Sequence, residues 1–399
     1  MPLPDFNWDK PWVYGPWLLL FHGNTTLWTP ALAQALLVSG SVRMTGAVLG
    51  AGWRTHLAVS VLLAGGTAAP WFASTLMPDI FAPLVVLAVF LVAHAPGRGL
   101  RACGMLVSTL AIAVHLAHLV LAAGCIAVAT LLNRRAFGRC LVPLAAALAL
   151  VLTANAAGEG QYGISPFGQI FLLARLVADG PARTTLAERC PGAGWRLCEW
   201  QSRLTDDSDQ FLWAGDGPLW AGGYGPTSMN EEAGQIVRAT LLSHPGAVLR
   251  AMAANTVAEL LMVRVGDTLV PTHLDTTAWK ALEAWFPPEE QDRYAAALQP
   301  RGLLPAAAAP FLLPHVPVLV LGLLGTTVVL WRGPRPHRAL AVLVLAGLLA
   351  NAASTGALSA LHDRYQARIA WLLVLPPAFA LSYAARRSTS SGDMRTSAS

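Results

Sequence analysis

Charge is what this sequence lacks. Only 12% of its 399 residues are Asp, Glu, Lys or Arg, against 55% hydrophobic. A soluble domain carries about 25% charged residues, so the deficit excludes an ordinary soluble fold and places the chain in the membrane class. The charges are missing in blocks: 55–78, 80–97, 102–133, 140–158, 302–331, 339–362 and 369–385 contain none. The chain also lacks the residue-by-residue alternation of a membrane β-barrel strand. LAVFLVAH and AALALVL are apolar throughout. It has no GxxxxGKS phosphate loop, no GxSxG elbow and no HExxH metal helix. Its basic residues form no stripe of the kind that grips nucleic acid.

What remains is an all-α polytopic membrane protein. A spanning helix needs roughly 20 apolar residues. The block 102–133 would be about 48 Å long as one helix, too long for a hydrocarbon core of about 30 Å, so it divides near HLAH (His115–His118). WVYGPWLLLF is too short to span and reads as a re-entrant or interfacial piece. Nine spans follow, at about 27–42, 56–75, 78–95, 101–114, 117–133, 139–157, 310–331, 338–358 and 366–385. They predict an N-terminal six-span bundle (1–157), an α-rich extracytoplasmic insert (158–309), a three-span bundle (310–385) and a disordered cytoplasmic tail (386–399).

Orientation follows from arginine. Lys and Arg collect in short cytoplasmic loops. With nine spans, every basic residue outside the insert falls on one face except Lys10, Arg364 and Arg368. Every acid except Asp393 falls on the other. The first residue and the insert are then extracytoplasmic and the C-terminus is cytoplasmic, as in a multi-pass protein of a bacterial inner membrane.

Of five cysteines, Cys103, Cys125 and Cys140 lie in or beside spans, where a thiol acts as a small apolar group. Cys190 and Cys198 flank a Pro/Gly loop in the insert, ERCPGAGWRLCEW. An oxidising compartment permits a disulfide there, and zinc would need further ligands that the neighbourhood does not offer. The run DDSD lacks the remainder of a calcium loop and reads as a solvated acidic loop. HPGAVLRAMAANTVAELLMVR reads either as a helix lying along the membrane surface or as a core helix of the insert.

Chemistry concentrates on the extracytoplasmic face. Asp5 and Asp9 precede WVYGPW, where acids could act as a general base or bind a cation. Ordinary polar residues of a solvated N-terminal segment are the reading their sequence context favours. Asp79, in STLMPDIFAP, begins a span, where capping and the helix dipole favour an acid and where ionisable residues are also functional candidates. LHDRYQARIAW gathers His362, Asp363, Arg364, Tyr365 and Arg368. Arg364 and Arg368, one turn apart, breach the arginine rule and suit phosphate; lipid-headgroup anchoring is the alternative. The histidines of HLAH share a helical face but have no carboxylate near them in sequence.

NWDKPWVYGPWLLLFHGNTTLWTPALAQALL, LMPDIFAPLVVLAVFLV and HDRYQARIAWLLVLPPAFAL together resemble the layout of GT-C-type membrane glycosyltransferases and their bacterial relatives. Those have an acidic motif in the first outer loop, a large outer domain and often an Arg-Tyr at a late span. The resemblance implies a glycosyltransferase using a polyprenyl-phosphate sugar from the extracytoplasmic side. Asp5, Asp9 or Asp79 would be catalytic, Arg364 and Arg368 with His362 would hold phosphate, and a divalent cation could be the cofactor. The lipid bilayer and the lipid-linked donor are the expected partners, with no nucleic acid. In that family a spanning helix precedes the acidic loop, so one is expected before Met1. The rival readings are a transporter or lipid flippase, which would show repeats and mid-membrane charges, and a non-catalytic assembly protein.

Overall fold

The charge-free blocks fold as helices. The computed structural model describes residues 8–160, 162–272, 274–275 and 277–396, backbone only at 159 and 388–396. Helix accounts for 77% of the chain, and no strand occurs among the described residues. The helices that matter below are, in order, α1 (Tyr14–His22), α2 (Trp28–Val48), α3 (Trp53–Gly66), α4 (Phe81–His94), α5 (Arg98–Ala113), α6 (Ala117–Leu132) and α7 (Phe137–Glu159). They continue as α8 (Gly168–Ala178), α9 (Pro226–Ser243), α10 (Pro245–Leu261), α11 (His315–Arg332), α12 (Arg335–Leu358), α13 (Asp363–Ala370) and α14 (Leu375–Thr396).

Five segments are long and apolar enough to cross a bilayer: Trp28–Val48, Arg134–Gly158, Leu304–Arg332, Arg335–Leu358 and Asp363–Arg387. The other four expected spans are helical but short. α3 and α4 have 14 residues each, α5 and α6 have 16. At 1.5 Å per residue they reach about 21–24 Å, less than the hydrocarbon thickness of about 30 Å. The long block 102–133 is divided, as its length required, by a break between Ala113 and Ala117.

Two compact units make up the chain. The larger comprises 13–150, 262–351 and 363–399. Its centre is α4, buried at every position from Phe81 to Ala93. A helix apolar all round can satisfy itself only in an interior. It packs on α2, α5 and α6, and small residues let the backbones close in. A Cβ at Gly104 of α5 would stand 2.9 Å from Leu91 Cβ, and one at Gly347 of α12 would stand 2.6 Å from Val86 Cγ2. Such small-residue contacts are how helices gain packing where lipid removes the hydrophobic drive. Two polar devices tie the chain start to this unit. Tyr14 Oη donates to Gln34 Oε1 (2.9 Å), and Gln34 Nε2 donates to the carbonyls of Ala73 and Thr75. The N-terminus of α2, which has no side-chain cap of its own, receives Glu290: its Oε1 accepts from Leu27 N–H at 2.8 Å and from Thr26 Oγ1 at 3.2 Å.

The smaller unit comprises 1–12, 151–261 and 352–362. Its core gathers Ile170 and Leu173 of α8, Leu186, Phe211, Leu219 and Ile236 of α9. Trp8 stacks on Phe171, ring centroids 4.8 Å apart, and touches Trp213 and Trp220. Cys190 and Cys198 form a disulfide. The unit closes at Leu261, so 262–309, which the sequence reading kept in the insert, belong to the larger unit. The tail expected to be disordered continues α14 as far as Thr396.

Candidate functional site

Asp79 sits in a short turn, Pro78–Ile80, that opens α4. Pro78 fixes the first helical φ without needing a donor, and the positive end of the helix dipole favours the carboxylate. The side chain is 4% exposed and accepts from Arg368 Nη1 at 3.1 Å. Arg368, on α13, is fully buried. Its Nη2 donates to Asn351 Oδ1 of α12 at 3.1 Å. Asn351 Nδ2 in turn donates to the Tyr365 carbonyl and to Gln366 Oε1, and Gln366 Nε2 donates to the Leu348 carbonyl. This closed set holds α13 against α4 and α12. A buried ion pair persists when further hydrogen bonds support it; here both Nη atoms of Arg368 are met, while its Nε is buried without an acceptor among the described residues. His118 is also buried, its Nδ1 2.6 Å from the Ala111 carbonyl, within electrostatic range of both Asp79 and Arg368.

Arg364, one turn before Arg368, is placed differently. Its guanidinium is half-buried over the Tyr365 ring, 4.9 Å from the centroid, and Nη2 donates to Tyr365 Oη at 3.2 Å. It forms no ion pair among the described residues, and its Nε is buried without an acceptor. Tyr365 lies between the two arginines, with Arg368 5.1 Å from the same ring. The backbone around Arg364 is pinned: its N–H donates to Asp267 Oδ2 at 3.0 Å, and Asp363 Oδ1 accepts from Arg264 N–H at 3.1 Å.

The loop that supplies Arg264 and Asp267 also walls a cavity of about 720 Å³ through Pro271, Thr272, Leu274 and Asp275. Gln299 Nε2 braces this loop at the Thr268 and Val270 carbonyls. Trp279 and Tyr294 complete the wall, their rings stacked at 6.3 Å. The Tyr294 hydroxyl is buried with no partner among the described residues. Burial also pushes its pKa up, so it stays a donor.

Asp79, Arg364 and Arg368 come together in one unit. Asp79 and Arg368, expected as catalytic and phosphate-binding residues, bond to each other, with side chains 4% and 0% exposed. His362, also expected at phosphate, falls in the smaller unit, where its Nε2 lies 3.1 Å from Asp209 Oδ2. Asp9, in that unit too, pairs with Lys10 at 3.3 Å. Asp5 lies outside the described residues. The DDSD run finds structural uses besides: Asp207 caps the helix Ser208–Trp213 by accepting from Asp209 N–H. Among the described residues, no group of three His, Cys, Asp or Glu could hold a metal. Sequence reasoning missed Asn351 and Gln366, although an amide inside the apolar run LLANAAS was a legible signal. It missed Asp267 and the Trp279–Tyr294 cavity, which no local pattern marks.

Comparisons with protein-family models, with curated proteins and with solved structures return no match.

Proposed function

We propose that this chain is a nine-span protein of a bacterial inner membrane, with N-terminus and insert extracytoplasmic, that takes a polyprenyl-phosphate sugar and transfers the sugar on that face. The observation that carries the reading is Arg364. Arg364 is a partly buried guanidinium with no ion pair among the described residues, its charge met only at longer range by Asp79 and Asp267, so its desolvation is returned only in part. A phosphate oxygen would supply both the charge and the acceptor that its Nε lacks, in the planar fork geometry that guanidinium offers. Arg368 supports this indirectly: by consuming Asp79 it fixes α13 and leaves Arg364 as the cation available to a ligand. The aromatic cavity on the same loop supports a sugar, whose apolar face suits Trp279 and Tyr294 and whose hydroxyls suit Asp275 and Thr272.

In the reaction, an acceptor hydroxyl oxygen bonds to the sugar's anomeric carbon as the bond from that carbon to the phosphate oxygen breaks. Polyprenyl phosphate leaves with the electron pair, its charge met by Arg364. The acceptor's proton passes to a carboxylate, for which Asp267, exposed on the same loop, is our candidate.

The test uses the full chain in proteoliposomes with a labelled polyprenyl-phosphate hexose. Arg364→Ala is expected to raise the donor KM at least tenfold, Arg364→Lys to recover part of it, and Asp267→Asn to lower kcat. Transfer by Arg364→Ala equal to that of the unaltered chain would overturn the reading. Lipid translocation without transfer would replace it by the transporter reading.

A further inference from the structure

α10 is built inside out. Its inward positions are Val248, Met252, Asn255 and Glu259, spaced to fall on one face. Val248 and Met252 meet the core of the smaller unit. The other two are polar. Asn255 Nδ2 donates to both carboxylate oxygens of Asp179, at 3.0 and 2.9 Å, and Asp179 is itself held by Arg175 at 2.6 Å. Glu259, fully buried, accepts from the His362 N–H through Oε2 at 3.3 Å. The outward face is apolar. Leu249 is 67% exposed, Val257 60% and Leu261 77%, with Ala253 also exposed between them. Leu242, at the end of α9, extends the stripe at 72% exposure. Arg250 is the one charged residue beside it.

Water selects the opposite arrangement, with amides and carboxylates outward and leucines inward. An apolar stripe about 18 Å long from Leu249 to Leu261, with Arg250 beside it able to snorkel, is what a helix half-sunk in a membrane presents. The contacts of α10 give its level. A Cβ at Gly356 would lie 2.6 Å from the Asn255 carbonyl oxygen and 3.1 Å from Glu259 Cβ. Gly356 belongs to the last turn of α12, one of the five helices able to cross a bilayer, which ends at Leu358. α10 is thus seated, backbone to backbone, on the end of a spanning helix, the depth at which hydrocarbon gives way to headgroups.

We propose that α10 lies in the plane of the bilayer, with Leu249, Val257 and Leu261 in the acyl region and lipid as their partner. This stands apart from the glycosyl-transfer reading.

The experiment uses the full chain with Cys103, Cys125 and Cys140 replaced by Ala and the Cys190–Cys198 disulfide kept. Single cysteines at Leu249, Val257 and, as an exposed control on α9, Glu231 carry an environment-sensitive fluorophore. The chain is reconstituted in phosphatidylethanolamine/phosphatidylglycerol vesicles with or without nitroxide-labelled acyl chains. Leu249→Cys and Val257→Cys labels are expected to emit blue-shifted and to lose at least half their intensity to the acyl nitroxide, while Glu231→Cys is unaffected. Labels at 249 and 257 that behave like the one at 231 would overturn the proposal. So would an unquenched label at 249 that cross-links between two copies, since the stripe would then be a protein interface.

Discussion

Arg368 Nη1 and Asp79 Oδ1 meet at 3.1 Å although 289 residues separate them in the chain, and both side chains are closed to solvent. The pair clamps the helix that carries Arg364 onto the buried helix α4. Removing one partner strands the other in a low-dielectric interior, a loss of about 3–5 kcal/mol. Asp79→Ala and Arg368→Ala are therefore expected to yield little monodisperse protein after mild heating in detergent. The double variant Asp79→Ala/Arg368→Leu is expected to recover most of it. A double variant as unstable as the singles would show that the pair is not the determinant.

Glu290 caps α2 from a distant part of the chain. It satisfies two donors at the helix entrance, and its charge faces the positive end of the dipole. Glu290→Ala is expected to cost about 1–3 kcal/mol. Glu290→Gln, which retains an acceptor, should cost less. Thermal midpoints in detergent measure the order, and equal midpoints for the two variants would contradict the hydrogen-bond part of the account.

The Cys190–Cys198 bridge closes a short loop. Loop-closure entropy for that length corresponds to about 2–3 kcal/mol. Replacing both cysteines with Ser should lower the thermal midpoint under non-reducing conditions and make it insensitive to reductant. The unaltered chain should fall to the same value when reduced.

His22 provides a pH-dependent term. Its Nδ1 accepts from Asn24 N–H at 2.9 Å, and the ring lies 5.0 Å from that of Phe286. Desolvation lowers its pKa below the ordinary value. A histidine held neutral by the fold contributes stability above its unfolded pKa, and that contribution falls as pH drops from the unfolded value toward the folded one. His22→Asn keeps a side-chain acceptor and removes the titration. The advantage of the unaltered chain over His22→Asn in thermal midpoint should therefore shrink between about pH 7.5 and pH 5.5, across the ordinary histidine range. A gap that does not change with pH would contradict it.

Local pattern sufficed for much of the architecture. Charge-free blocks marked four of the five segments long and apolar enough to span, all but Trp28–Val48, block length required the break before α6, and the spacing of Cys190 and Cys198 marked the disulfide. These features depend on hydropathy and chain reach, which neighbouring residues determine. Arg364 was legible too, because an arginine against the loop trend needs a reason. Its difference from Arg368 was not: both occupy one helix face, and only the arrival of Asp79 and Asn351 from other helices gives one a direct ion pair and leaves the other without one among the described residues.

The same boundary runs through α10. Its composition allowed either a surface helix or a core helix. Which face turned inward depended on where Asp179 and the His362 amide stood, since those partners made it favourable to bury Asn255 and Glu259. The sequence by itself determined that this is a helical membrane-class chain and where its helices run, because burial in lipid acts on each segment separately. Only the tertiary structure decided which ionisable side chains are sealed in pairs, which are not, and which face of α10 is left apolar. Those outcomes depend on pairings between residues 17 to 289 positions apart, and a buried charge is tolerated only where such a pairing exists.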